Sequence, residues 1–126
     1  MITATVADLA AATASEAAQA ARHLGHPVLA TVAIPDPEAQ PMALLADPTA
    51  GWWSQPGFSA AGCGVAADRT AHGLDRLSDL ADAVEDLFEG AVSRGREAIA
   101  FVGAGFAEGP YSAGWEPFAP ASAWVP

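Results

Sequence analysis

The sequence predicts an α/β (α+β) fold in which a mostly antiparallel sheet carries one long amphipathic helix. Three observations lead to this prediction. Apolar residues recur at helical spacing across Gly73–Ser93, and a short apolar stretch bounded by glycine, Ala98–Phe106, is typical of a buried strand. Along the chain the patterns follow one another as helix, strand, strands, helix, strand and strand, which indicates one helix packed on a sheet.

The first predicted element is a helix over Thr5–Leu24. Thr5 and Asp8, three residues apart, form a capping pattern at its N-terminus, and Gly25 can end it. Because alanine dominates its apolar face, the packing stripe is thin. We therefore expect a loosely held N-terminal element, set apart as residues 1–26.

Extended segments follow. Pro27–Ile34 is β-branched and apolar on both faces, which predicts a strand covered on both sides. Three prolines then predict a loop, because proline lacks a backbone donor and restricts its predecessor. Met42–Ala46 is predicted as one helical turn, and Trp52-Trp53 begins another extended piece.

Phe58–Ala67 is predicted as a single strand. It carries Gly62 and Gly64 two residues apart, and therefore on the same face. Paired glycines on a strand face typically let another backbone or a ring approach closely.

The clearest element is the helix predicted over Gly73–Ser93. Its apolar face comprises Leu74, Leu77, Leu80, Ala81, Val84, Leu87, Phe88, Ala91 and Val92. Its opposite face is acidic and comprises Asp75, Asp79, Asp82, Asp86 and Glu89. We interpret the acidic face as solvated, with a docking face as the alternative.

The last predicted strands give the sequence an unfinished character. Ala98–Phe106 is predicted as a central strand, and a second strand-like stretch begins only near Ala123-Trp124-Val125-Pro126. Trp124–Pro126 looks exposed. From this pattern we expect the chain to be an incomplete half of a larger fold.

Charge and composition exclude several function classes. Fifteen acidic residues, five arginines and no lysine give a net charge of −10, which disfavours nucleic acid and anionic membranes as partners. Cys63 is the single cysteine, so neither an intramolecular disulfide nor a cysteine-based zinc site can form. Residues 1–25 show neither a signal-peptide nor a transmembrane pattern, and we expect a cytoplasmic protein.

Gly103-Ala104-Gly105 after an apolar strand looks at first like a dinucleotide-binding turn. That turn requires a helix directly after the glycines and an acidic residue about twenty positions later. Gly109, Pro110, Gly114 and Pro117 oppose such a helix. We therefore do not assign a nucleotide site.

No catalytic, cofactor-binding or metal-binding residue is assigned from the sequence. His23 and His26 are separated by Gly25 and lack a third metal ligand nearby. Serine residues have no histidine and acid placed to indicate a triad, namely Ser54, Ser59 and Ser112. The tryptophans are interpreted as core or interface anchors, with a ligand cleft as the alternative; they are Trp52, Trp53, Trp115 and Trp124.

Taken in order, several stretches resemble the N-terminal region of isochorismate synthases, within the chorismate-utilising family that includes anthranilate and aminodeoxychorismate synthases. The matching stretches are Val28–Pro35, Pro41–Leu45, Trp52–Pro56, Ala61–Ala67, Gly73–Arg76, Ala100–Phe106 and Trp115–Pro126. Gly103-Ala-Gly-Phe106 departs slightly from the Gly-Gly-Phe-Ala-Phe usual in the family. The resemblance covers about residues 27–126.

The resemblance implies a reaction whose machinery lies elsewhere. In the family a lysine base activates water, a glutamate acid expels a hydroxyl, and further glutamates hold Mg²⁺, all in the C-terminal chorismate-binding part. This chain has no lysine, so no catalytic residue is carried over. The tryptophan-binding motif of anthranilate synthases is also absent. The resemblance leaves open whether the pathway is that of menaquinone, a siderophore or salicylate.

Three hypotheses follow. The first is the non-catalytic N-terminal half of a split or truncated isochorismate synthase-like enzyme, an isomerase. On this hypothesis the chain alone is inactive. Its partner is either a catalytic chorismate-binding chain or a second copy, bound through an exposed sheet face. The second is a stand-alone small-ligand-binding or regulatory module with a tryptophan-lined cleft for a small aromatic acid. The third is a truncated product with no independent role.

Overall fold

A computed structural model describes residues 3–107 and 119–126. The chain forms two compact units, each built from two stretches of sequence: Met1–Asp36 with Glu85–Ala98, and Pro37–Val84 with Ile99–Pro126. The content is mixed α and β, which confirms the general class predicted from the sequence. It stays a prediction that this chain is one half of a chorismate-enzyme sandwich whose other half is catalytic.

The first unit contains helix α1 (Val6–Leu24) and two short parallel strands, β1 (Ala30–Val32) and β5 (Val92–Arg94). Both strands contact α1. The predicted capping pattern is confirmed, because the Thr5 hydroxyl accepts from the Asp8 N–H and the Asp8 carboxylate accepts from the Thr5 N–H.

The buried face of α1 is polar at its centre. Thr13 is fully buried and Ala17 nearly so. The Arg94 side chain crosses from β5 and donates Nε–H to Thr13 Oγ1 at 2.9 Å, and it forms an ion pair with Glu16. This polar link compensates for the small apolar area of an alanine-rich helix.

The second unit contains two sheets. A hairpin pairs β2 (Gly51–Gln55) with β3 (Phe58–Gly62), and a 3-10 helix at Pro41–Ala46 contacts β3. A three-stranded antiparallel sheet has the order β4 (Ala67–Ala71), β7 (Ala121–Val125) and β6 (Phe101–Ala104).

The core of the second unit lies on one face of the central strand β7. Ala121, Ala123 and Val125 alternate as buried residues, because successive strand side chains point to opposite faces. Ala121 and Ala123 pack with Ala71 of β4 and with Leu80 of helix α2 (Arg76–Phe88). The helix therefore packs on the sheet, as predicted.

Two predicted strands are placed differently. Pro27–Ile34 was expected to be buried on both faces, but only Ala30–Val32 forms a strand and none of these residues is fully buried. A ribbon of two three-residue strands is too narrow to enclose its own side chains. Ala98–Phe106 was expected to be central, but among residues 3–107 and 119–126 β6 pairs with β7 alone, and β7 is the middle strand of the three.

The predicted strand Phe58–Ala67 is two strands. Gly64 adopts φ +76°, in the left-handed region that glycine favours, and the chain turns there between β3 and β4. Gly62 and Gly64 therefore do not share a strand face. The close approach expected at Gly62 is nevertheless present, as described below.

The long helix is shorter than predicted and exposes part of its apolar pattern. It ends at Phe88, since Gly90 adopts φ +72° and Val92 joins β5. Leu74 and Leu77 are exposed, whereas Arg76 is buried. The Arg76 guanidinium donates to the carbonyl oxygens of Gly73 and Gly105, at 3.1 and 2.9 Å, which holds it at the helix start.

The expectation of an exposed Trp124-Val125-Pro126 is wrong. Val125 is buried in the central strand, and the Trp124 ring stacks on Phe101 with centroids 4.8 Å apart. Trp115–Phe118, which begins the Trp115–Pro126 stretch of the resemblance, lies outside the described residues.

Candidate binding cleft

The register of the β2–β3 hairpin sorts its side chains by size. Gly51 pairs with Gly62, Trp53 with Ala60, and Gln55 with Phe58, so these six residues share one face. The small pair lies at one end of the face, and the bulky side chains lie toward the turn. This gradient shapes the site.

The glycine end of the hairpin lies directly on the three-stranded sheet. A Cβ atom on Gly51 would lie 2.5 Å from the Trp124 indole, and one on Gly62 would lie 2.5 Å from the Pro126 ring. Phe101 is adjacent to both positions. Only residues without a side chain fit here, so the glycine pair sets how closely the hairpin and the sheet approach.

A cleft of about 450 Å³ lies at the opposite, bulky end of the hairpin. It is lined by Trp52, Trp53, Phe58, Ala60, Ile99, Ala100, Phe101 and Val102. Pockets of roughly 300–1,000 Å³ with mainly apolar walls are typical of small-ligand sites. The cleft is therefore the candidate functional site.

The aromatic side chains of the cleft differ in exposure. Trp52, Trp53 and Phe58 are 42%, 56% and 40% exposed, so their rings are accessible from solvent. Phe101 is half-buried, and its ring lies on Trp124 at an interplanar angle of 19°. The Phe101–Trp124 stack is a fixed wall, whereas the hairpin aromatics form the open side.

The cleft offers little polar chemistry. The side chains that line it are apolar apart from the indole N–H groups, and Trp53 Nε1 donates to Gln55 Oε1 at 3.2 Å. None of the lining residues in the described part of the chain is charged. Binding there must come from apolar contact area and from the faces of the rings.

A second cleft in the same unit, of about 360 Å³, is more polar. Its wall includes Thr49, Asp68, Thr70, Ser122 and Trp124. The Thr49 hydroxyl accepts from the Gly64 N–H at 2.6 Å and donates to Asp47, so it is fully used. The Thr49 hydroxyl and the Thr49 backbone N–H both donate to the Asp47 carboxylate, and these two hydrogen bonds lower its pKa. The Thr49 hydroxyl therefore stabilises the turn at Asp47–Thr49.

The histidines considered from the sequence do not form a cluster. His26 places Nδ1 2.9 Å from the Pro27 carbonyl oxygen and Nε2 3.5 Å from Glu89. His72 is exposed after β4. Within residues 3–107 and 119–126, no three His, Cys, Asp or Glu side chains are arranged to hold a metal ion.

The serines and the glycine turn have local roles. Ser54 and Ser59 face each other across the hairpin with their hydroxyls 2.9 Å apart, while Ser112 lies outside the described residues. The Gly105 N–H donates to the Pro120 carbonyl, and its own carbonyl accepts from Arg76. Both backbone groups of Gly105 are thus occupied within the fold.

Sequence reasoning raised Trp52 and Trp53 as cleft residues but missed Phe58 and Phe101. A signal was present for Phe58. Pro56-Gly57 forms a two-residue turn, and such a turn fixes hairpin register. The turn alone places Phe58 opposite Gln55, on the face of Trp53. Phe101 carried no equivalent signal, because its position depends on pairing with β7.

Comparison of the chain with protein-family models, with curated proteins and with solved structures finds no match. Among the residues that the structure describes, no helix is both long and apolar enough to span a membrane.

Proposed function

We propose that this protein is a non-catalytic binding module that holds an apolar, ring-sized group in the cleft between the β2–β3 hairpin and β6. The observation that carries the proposal is the cleft itself, with its volume of about 450 Å³ and four aromatic lining residues. Its size accommodates one aromatic ring with substituents.

The lining chemistry supports binding over catalysis. General acid–base and nucleophilic catalysis need titratable or nucleophilic side chains within hydrogen-bonding reach of the substrate. The lining residues supply none of these, whereas they supply broad apolar area. Burial of such area contributes roughly 25 cal/mol per Å².

The same lining disfavours the small aromatic acid considered from the sequence. An anionic ligand such as chorismate would lose carboxylate hydration without gaining a cationic partner from these walls. The net charge of −10 adds long-range repulsion. The ligand class that the cleft fits is therefore uncharged or positively charged.

A titration with toluene, followed by backbone amide NMR shifts, tests the proposal. We expect saturable shifts centred on Ala60 and Phe101. Ala60→Phe fills the cleft and should abolish them, while Phe106→Ala, which removes a fully exposed ring outside the lining, should leave them unchanged. Non-saturating or scattered shifts in the native protein would contradict the proposal.

A second candidate is the non-catalytic half of an isochorismate synthase-like enzyme. The resemblance described above supports it, together with the exposed Val102 and Ile99 and with the outer edge of β6, which pairs with no strand among residues 3–107 and 119–126. Unpaired strand edges are sites where another chain can add. On this proposal the module binds a catalytic chorismate-binding half, which supplies the Mg²⁺ site.

Mixing this protein with the isolated C-terminal half of an isochorismate synthase, Mg²⁺ and chorismate tests the second candidate. We expect isochorismate from the mixture and none from this protein alone. A cooperatively folded monomer that neither binds nor activates the catalytic half would contradict it. The toluene titration does not depend on that result.

A further inference from the structure

Building on the proposed binding cleft, we infer that its ligand is a small organic cation with methylated or aromatic groups around its charge. The inference rests on three features: the aromatic walls, the lack of side-chain oxygen acceptors among the lining residues that the structure describes, and the charge of the surrounding unit.

The walls present the side-chain type that attracts such cations. Trp52, Trp53, Phe58 and Phe101 all line the cleft. The face of an aromatic ring carries partial negative charge, and tryptophan binds a cation most strongly. Trp53, which shares a face of the exposed hairpin with Phe58, therefore favours a cation over a neutral group of the same shape.

The scarcity of acceptors selects the kind of cation. A metal ion or a primary ammonium is strongly hydrated and needs oxygen ligands to replace its water. Within the ranges 3–107 and 119–126, no lining side chain provides a carboxylate, amide or hydroxyl oxygen. A quaternary or fully alkylated ammonium makes no hydrogen bonds to water, so it enters an apolar aromatic cleft at much lower cost.

The charge of the unit adds attraction. The ranges 37–84 and 99–126 contain eight acidic residues and two arginines. Arg69 donates to the Asp68 carbonyl and Arg76 to two backbone carbonyls, and neither lines the cleft. A surplus of negative charge concentrates cations near the surface and speeds their association.

Three probes that share a phenyl ring test the inference: phenyltrimethylammonium, its neutral isostere tert-butylbenzene, and the smaller anion benzoate. We expect the cation to bind about tenfold more tightly than the neutral isostere, and benzoate to bind most weakly. Raising the ionic strength should lower the affinity for the cation and leave the affinity for the neutral probe unchanged.

Trp53→Leu removes an aromatic ring but keeps an apolar side chain, so it separates the contribution of the ring face to binding from that of apolar contact area. It should reduce the preference for the cation severalfold while the neutral probe keeps most of its affinity, and Phe106→Leu should change neither. Should Trp53→Leu fail to fold, the three-probe comparison and Ala60→Phe on the native background still decide. Equal affinities for cation and neutral isostere would overturn the inference and leave the binding cleft standing. Binding of neither probe would overturn both.

Discussion

The two units of this protein are stabilised in opposite ways. In the first, the helix α1 is alanine-rich, and a buried threonine bonded to Arg94 lies at the centre of its packed face. In the second, an apolar cluster centres on β7, the charged Arg76 is buried at the start of α2, and large aromatic rings stay exposed on the hairpin. The first unit uses Arg94 to hold its helix and strands together, whereas the second leaves Trp52, Trp53 and Phe58 of its hairpin exposed.

The largest effect is expected from a charge in the core of the second unit. Ala121→Asp places a carboxylate at a position that is 0% exposed, between Ala71 of β4 and Ala104 of β6, so that neither strand partner carries a charge. We expect a loss of about 3–5 kcal/mol or complete unfolding. Ser122→Asp, on the adjacent residue that points to the opposite face, is the control and should cost far less. Chemical denaturation measures both, and equal losses would contradict the assignment of β7 as the central strand.

A smaller effect is expected where the hairpin lies on the sheet. Gly51→Ala directs a methyl group into Trp124, and overpacking of this kind costs about 1–3 kcal/mol. Because the hairpin must shift to relieve the contact, toluene binding should also weaken. Gly103→Ala is the control, since a Cβ there meets nothing within 4 Å. An unchanged melting temperature for Gly51→Ala would show that the hairpin does not pack as described.

In the first unit, Arg94→Ala removes the link between β5 and α1. Thr13 keeps its bond to the Leu9 carbonyl, so we expect a loss of about 1 kcal/mol. Hydrogen exchange should show faster opening of α1 with little change in β7. Arg96→Ala, an exposed arginine two residues away, should leave exchange unaltered. Faster exchange in both units alike would contradict the separation drawn above.

The smallest effect concerns the cap of α1. Backbone and side-chain hydrogen bonds from Thr5 lower the pKa of Asp8 below its ordinary value of 3.8. A lowered pKa in the folded state means that the stabilisation is complete above the unfolded value and is lost as pH falls through the folded one. Circular dichroism should show α1 fraying over that acid range in the native protein, and Asp8→Asn should remove this dependence.

Asp47→Asn provides the comparison for Asp8→Asn. Hydrogen bonds from Thr49 also lower the pKa of Asp47, but Asp47 lies in the other unit. The Asp47→Asn variant should therefore leave the acid fraying of α1 intact. Loss of the fraying in this variant would mean that the helix signal does not report on the cap.

Local features were predictable from the sequence, and pairings distant along the chain were not. The cap at Thr5, the end of the helix at Gly25 and the helical turn at Pro41–Ala46 depend on neighbours within a few residues, and all three are present. The central position of β7 depends on β4, more than fifty residues earlier, and no local pattern encodes it. In the cleft, the position of Phe58 on the hairpin could be predicted from the Pro56-Gly57 turn, but the position of Phe101 could not.

The pairing of distant segments also sets the order in which the molecule can assemble. The helices α1 and α2, the 3-10 helix at Pro41–Ala46 and the β2–β3 hairpin consist of contacts close in sequence. β1 cannot pair until Val92–Arg94 has been synthesised, and neither β4 nor β6 gains a neighbour until Ala121–Val125 emerges. A high share of such contacts slows folding. During synthesis, the tryptophan-bearing hairpin is therefore complete long before the sheet on which it rests, and its rings stay uncovered for most of that time.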